Sequence, residues 1–144
     1  MDCKKILVSG IAGGILLLVL QLAFSWIGNL VAPYDVFAIG GMRHVTDPLM
    51  NLFYAYPFVL SFAAAVVFNR VKGSLGCGGD GCPCSGPGFS FGLILILLVT
   101  VPSLFVIFST MTYPAGFYIG NILFGLIGFP VLGMLYARIW GVQG

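Results

Sequence analysis

Four long apolar stretches, at about residues 6–32, 49–68, 89–111 and 115–139, alternate with polar or glycine-rich breaks. Each is close to or above the ~20 residues that a helix rising ~1.5 Å per residue needs to cross ~30 Å of hydrocarbon. The pattern predicts an all-α fold, a single membrane domain over residues 1–144 built as a four-helix transmembrane bundle. Lys4 and Lys5 precede the first stretch, and Ala23-Phe24-Ser25 has the form of a signal-peptidase site. The run is longer than a signal-peptide core, however, so it is read as a retained helix.

Helix punctuation fits these spans. Asp47-Pro48 is a helix-start pair, the carboxylate accepting from free amides and the proline filling a first turn that needs no donor. Thr112 and Pro114 are expected to do the same for the fourth helix, leaving a very tight turn between the last two. Pro57, Pro102 and Pro130 fall inside helices, where each removes a donor and permits a kink.

Composition sharpens the picture. Of 144 residues, 60% are apolar and 7% charged, with a mean hydropathy of +1.11; a water-soluble domain of this size could not bury so much apolar surface, so lipid is the expected solvent. The net charge of +2 forms no basic patch, which argues against nucleic acid as a partner. The charges orient the chain instead. Lys4, Lys5, Arg70, Lys72 and Arg138 would share one side, against Arg43, Asp35 and Asp47 on the other. The positive-inside rule then predicts that both termini and the loop at residues 69–88 are cytoplasmic, in a prokaryotic cytoplasmic membrane.

Helices in lipid meet through small residues and cross-helix hydrogen bonds. One stripe of such residues is expected on each: Gly10, Gly14, Gln21, Ser25 and Gly28; Asn51, Tyr54, Ser61 and Ala65; Gly92, Thr100, Ser103 and Thr110; Tyr118, Asn121, Gly125 and Gly128. By rise per residue, Gln21, Tyr54, Ser103 and Asn121 would share a polar layer roughly 10 Å below the outer surface. The layer is read as fixing helix register. The alternative is a small pocket open to the outside and rimmed by Asp35, Arg43, His44 and Asp47. His44, the sole histidine, is read as a solvated loop residue that could ligate a metal or haem only with ligands from another subunit. No nucleophile–base set, paired intramembrane carboxylates or phosphate-binding loop is present, so no enzymatic activity is expected.

The loop sequence NRVKGSLGCGGDGCPCSGPG holds Cys77, Cys82 and Cys84, with Cys3 expected on the same face. Four thiols could close a thiolate site for zinc or another soft metal. C-x4-C is too wide and C-x-C too tight for the usual pairs, and the many glycines make ordering costly, so a reduced loop without cofactor is expected; palmitoylation of Cys3 is a further option. All four thiols should then alkylate at the rate of free thiols. Near-stoichiometric zinc or iron in protein purified without chelator, lost in Cys82→Ser, would establish the metal site instead. Small mercury-uptake membrane proteins are similar in having clustered loop cysteines, but they also carry a cysteine pair within a membrane helix, where none is expected here.

The runs DPLMNLFYAYPF and FGLILILLVTVPSLFVIFST resemble those of small prokaryotic four-helix integral membrane proteins of unknown function, over about residues 43–110. The resemblance implies the four-helix fold and no activity. The function expected is non-enzymatic association in the bilayer, as a homo-oligomer or an accessory subunit of a membrane complex. Its sequence support is the GxxxG spacing at Gly10–Gly14 and Gly116–Gly120 and an aromatic-rich second helix. The alternative is a carrier or sensor of a soft metal or thiol-reactive species through Cys3, Cys77, Cys82 and Cys84.

Overall fold

Each apolar stretch folds as one long helix in the computed structural model, which describes residues 3–33, 35, 46–75 and 86–141. They are α1 (Cys3–Val31), α2 (Leu52–Val71), α3 (Pro87–Thr110) and α4 (Ala115–Trp140). All four are long and apolar enough to cross a membrane. The described residues are 87% helical, with no strand among them.

The ends follow local chemistry. A 3-10 turn at Pro48–Asn51 leads into α2, and the Asp47 carboxylate accepts from the Leu49 amide at 2.9 Å. Gly141, at φ +68°, closes α4 in the left-handed region that a side chain would disfavour. Two expectations need correcting. Cys3 is the first residue of α1 rather than lying ahead of it. Pro114, at ψ 155°, is the extended residue before α4, and no side chain among the described residues caps that helix; its carbonyl instead accepts from the Phe117 amide.

Prolines shape the two later helices. A π turn at Ile96–Thr100 precedes Pro102, and another at Phe124–Gly128 precedes Pro130. A proline ring presses on the carbonyl four residues earlier and offers that carbonyl no proton; widening the turn ahead of the ring relieves the clash. Pro57 lies one turn into α2, where the helix remains α throughout.

The four helices pack in the spatial order α2, α1, α4, α3. Backbones approach where glycines face one another or an aromatic ring. Gly10 and Gly14 of α1 lie under the rings of Phe62 and Phe58 in α2; Gly28 meets the backbone of Gly116 and Gly120 in α4. Gly88 and Gly92 of α3 lie against Gly133 and Pro130 of α4. These pairings make neighbours antiparallel and gather Lys4, Lys5, Arg70, Lys72 and Arg138 at one end, called here the basic end. The largest fully buried side chains, Tyr136, Phe68, Phe91 and Phe129, lie between the middle of the bundle and that end.

The other end is looser. Val101–Thr110, the second half of α3, has no buried residue. It meets α4 through Phe108, set edge-on to Tyr118 at 5.9 Å, and just past its end the Met111 carbonyl accepts from the Tyr118 hydroxyl at 3.2 Å. Phe105 and Phe108 are 73% and 76% exposed.

Candidate functional site

Two constellations at the basic half of the bundle draw on several helices at once. The first is a buried polar node. Tyr136 of α4 donates its proton to the Ser61 carbonyl of α2 at 2.7 Å, so the Ser61 hydroxyl supplies the proton between the two hydroxyls, also 2.7 Å apart. The Ser9 carbonyl of α1, 3.5 Å from Ser61 Oγ, is a longer second acceptor. Ser9 turns its own hydroxyl back to the Lys5 carbonyl at 2.7 Å. Gly13 leaves room for this node, since a Cβ there would meet Ser61 Oγ, Leu132 and the Tyr136 hydroxyl. With both protons committed to neighbours, the node fixes the register of three helices and offers no reactive hydroxyl.

Phe68 is the hub of the aromatic layer below it. Its ring is 5.0 Å from Phe91, 5.8 Å from Tyr136 and 6.5 Å from Trp140, so α2, α3 and α4 are joined through one side chain. Edge-on geometry at Phe91 and Tyr136 suits the ring quadrupoles. The second constellation lies just beyond. Trp140, 6% exposed, has the Lys72 ammonium 4.0 Å and the Lys5 ammonium 5.7 Å from its ring centroid. Its indole Nε1 is buried and has no hydrogen-bond acceptor among the described residues.

The residues singled out from sequence are distributed as follows. Gln21 is half-buried, with Oε1 covered and without a hydrogen-bond partner among the described residues. Tyr54 and Ser103 are exposed, and Asn121 donates its amide to the Phe117 carbonyl of its own helix at 2.8 Å. Asp35 is exposed and Asp47 caps the turn before α2. Cys3 is exposed at the start of α1. Arg43, His44, Cys77, Cys82 and Cys84 lie outside the described residues.

Among the predicted stripes, Gly10, Gly14, Gly28, Ser61, Ala65, Gly92, Gly125 and Gly128 are buried, whereas Ser25, Asn51, Tyr54, Ser103 and Thr110 are exposed. Gly125 faces Thr100, joining the two π turns, and Gly128 faces Leu17 of α1 at 3.8 Å from a built Cβ. Both GxxxG pairs are consumed inside the chain, Gly10–Gly14 by α2 and Gly116–Gly120 by α1, so neither is free to join a second protein. Sequence reasoning passed over Tyr136 and Trp140. The signal was there: two aromatics with polar tips, one turn apart, where α4 reaches the basic end.

Protein-family models, curated proteins and solved structures yield no match to this chain. The functional reading therefore rests on its own residues.

Proposed function

We propose that the chain is a multi-pass integral membrane protein with both termini and the loop at residues 69–88 in the cytoplasm. It acts without catalysis, by associating through the second half of α3 with a second copy or with another membrane subunit. The orientation is supported by the five basic residues gathered at one end, where the charged side chains described are all cationic. Reporter fusions at Gly144 and between Gly40 and Gly41 should report opposite sides of the membrane. A C-terminal reporter active outside the cytoplasm would overturn the orientation.

One observation carries the association: Val101–Thr110 has no buried residue, yet it is not a plain lipid-facing wall. Pro102 provides no amide proton, and the Val101 amide is already bonded to the Ile96 carbonyl. The carbonyl that Pro102 would have served, at Leu97 or Leu98, belongs to residues exposed on the bundle surface. If no other amide serves that carbonyl, leaving it in hydrocarbon costs several kcal/mol by general estimates, about what a donor from a second protein would recover. Ser103 adds an exposed hydroxyl one residue beyond the proline. A neighbouring helix packed along Phe105 and Phe108 would cover both polar groups. Purified in a mild detergent, the protein should form a particle whose polypeptide mass exceeds one 15.3 kDa chain. A lone chain at every protein concentration, with nothing co-purifying from native membranes, would refute the proposal.

A further inference from the structure

The same local device occurs in α3 and α4 with different surroundings. Each π turn ends two residues before its proline, and Thr100 of one turn faces Gly125 of the other. In α4 the helix is held on both sides of the turn: Gly120 meets the Phe24 carbonyl of α1 before it, and Gly133 meets the Gly88 carbonyl of α3 after it. In α3 only the side toward the basic end is held in this way, by buried Phe91, Gly92 and Leu95. Val101–Thr110, on the far side, has no buried residue. The π turn already departs from the regular hydrogen-bond ladder, and Pro102 contributes no amide proton to it. A bend there therefore breaks fewer backbone bonds than one in the α segments on either side.

We infer that Val101–Thr110 is a hinged arm, pivoting at Ile96–Thr100 and latched to α4 by Tyr118. The arm holds together as a unit, since Ser109 and Thr110 both donate to the Val106 carbonyl, at 3.0 and 2.6 Å, and so bind its own backbone. The latch is the edge-on contact of Tyr118 with Phe108 and the bond from its hydroxyl to the Met111 carbonyl. Met111, at φ −133° and ψ 140°, and Pro114 are extended, so the link that ties the arm to α4 carries no helix to resist the motion. Ten residues of helix are about 15 Å long, and a change of ~20° at the base, the size of an ordinary kink, moves the tip by about 5 Å. The swing opens the seam between α3 and α4 and re-aims Phe105 and Phe108. The arm rests on the geometry of these two helices and not on the association proposed above, so either can fail without the other.

Double electron–electron resonance between nitroxide labels tests it, in the full chain with its four cysteines replaced by serine. One label replaces Val59, exposed on α2, whose neighbours Phe58 and Phe62 lie over Gly14 and Gly10 of α1. The second replaces Ser109 at the tip of the arm, Leu93 in the first half of α3, or Ile122 in the first half of α4, all exposed. Dilution with unlabelled chain removes distances between copies. The pairs to Leu93 and Ile122 should each give one narrow distance, and the pair to Ser109 two, separated by about 5 Å for a ~20° swing. Tyr118→Phe should raise the outward component about threefold relative to the inward one, as the loss of one cross-helix hydrogen bond predicts. Pro102→Ala, which restores the amide, should merge the two into one. A single narrow distance at Ser109, equal breadth in all three pairs, or a ratio indifferent to Tyr118→Phe would overturn the arm. Two components unmoved by Pro102→Ala would overturn it as well; if that variant does not fold, the three native pairs and Tyr118→Phe decide.

Discussion

Gly133→Leu should prevent α3 and α4 from closing on each other. A Cβ at Gly133 would fall on the Gly88 carbonyl oxygen and lie 3.0 Å from the Gly92 amide nitrogen, so the obstacle is backbone on both counts. Side chains can rotate out of the way; two helix backbones cannot separate without losing the contacts of Gly88, Gly92 and Pro130 together. Overpacking typically costs 1–3 kcal/mol where side chains adjust, and Gly133→Ala should already reach about 3 kcal/mol. Leucine should go well beyond, a large fraction of the ~5–15 kcal/mol that holds a domain folded. Gly128→Ala is the contrasting variant. Its nearest atoms, in Phe124, are at 3.6 Å, an ordinary contact, and alanine favours helix by about 1 kcal/mol. Detergent-resistance and SDS-titration midpoints measure both. A Gly133→Leu protein with native stability would mean that α3 and α4 do not cross at these glycines.

Tyr136→Ala should be the most damaging truncation at the buried end, at about 3–5 kcal/mol. The residue is fully buried, packs on Phe68 and Phe91, and supplies the proton to Ser61. On the proposed membrane reading the exchange of apolar surface with solvent contributes little, so the loss comes from packing and favours the lower part of that range. Tyr136→Phe separates the two contributions. It keeps the ring and removes the hydroxyl that donates to the Ser61 carbonyl and accepts from the Ser61 hydroxyl, for a cost of about 0.6–1.7 kcal/mol per hydrogen bond. Ser61→Ala should cost less in the Tyr136→Phe background than alone, because the hydroxyl pair is already broken. Equal losses for Tyr136→Phe and Tyr136→Ala would place the stability in the hydroxyl rather than the ring.

How far the fold could be read from sequence depended on which physical signal each feature leaves. Four apolar runs close to or above the length of a membrane-crossing helix are sufficient to set the number and class of elements, and the four long helices match them. Asp47-Pro48 was legible because a carboxylate and a missing amide proton act locally. Pro102 and Pro130 announced irregular turns but not their kind, since whether a helix bends or widens depends on the room beside it. Here Gly125 provides that room for Thr100.

The stripes of small and polar residues were informative where the bundle is tight. Toward the looser end, Tyr54 and Ser103 follow the same spacing without a neighbouring helix to receive them. Periodicity marks a face of a helix and says nothing about whether another helix lies against it. The GxxxG pairs illustrate the same ambiguity, because close approach within one chain and between two chains demands identical spacing. The Trp140 cluster was out of reach for another reason: Lys5, Lys72 and Trp140 are far apart in sequence, and only the antiparallel packing of α1, α2 and α4 brings them together.

The association proposal has its most direct test in the membrane itself. A photoreactive benzoylphenylalanine replacing Phe105 or Phe108 would read what lies beside the second half of α3, and the same probe at Val59, exposed on α2, reads a surface with no such requirement. The proposed function predicts a discrete protein adduct from positions 105 and 108, at twice the 15.3 kDa chain mass if the partner is a second copy, and lipid adducts alone from position 59. Lipid adducts alone from all three positions would contradict it.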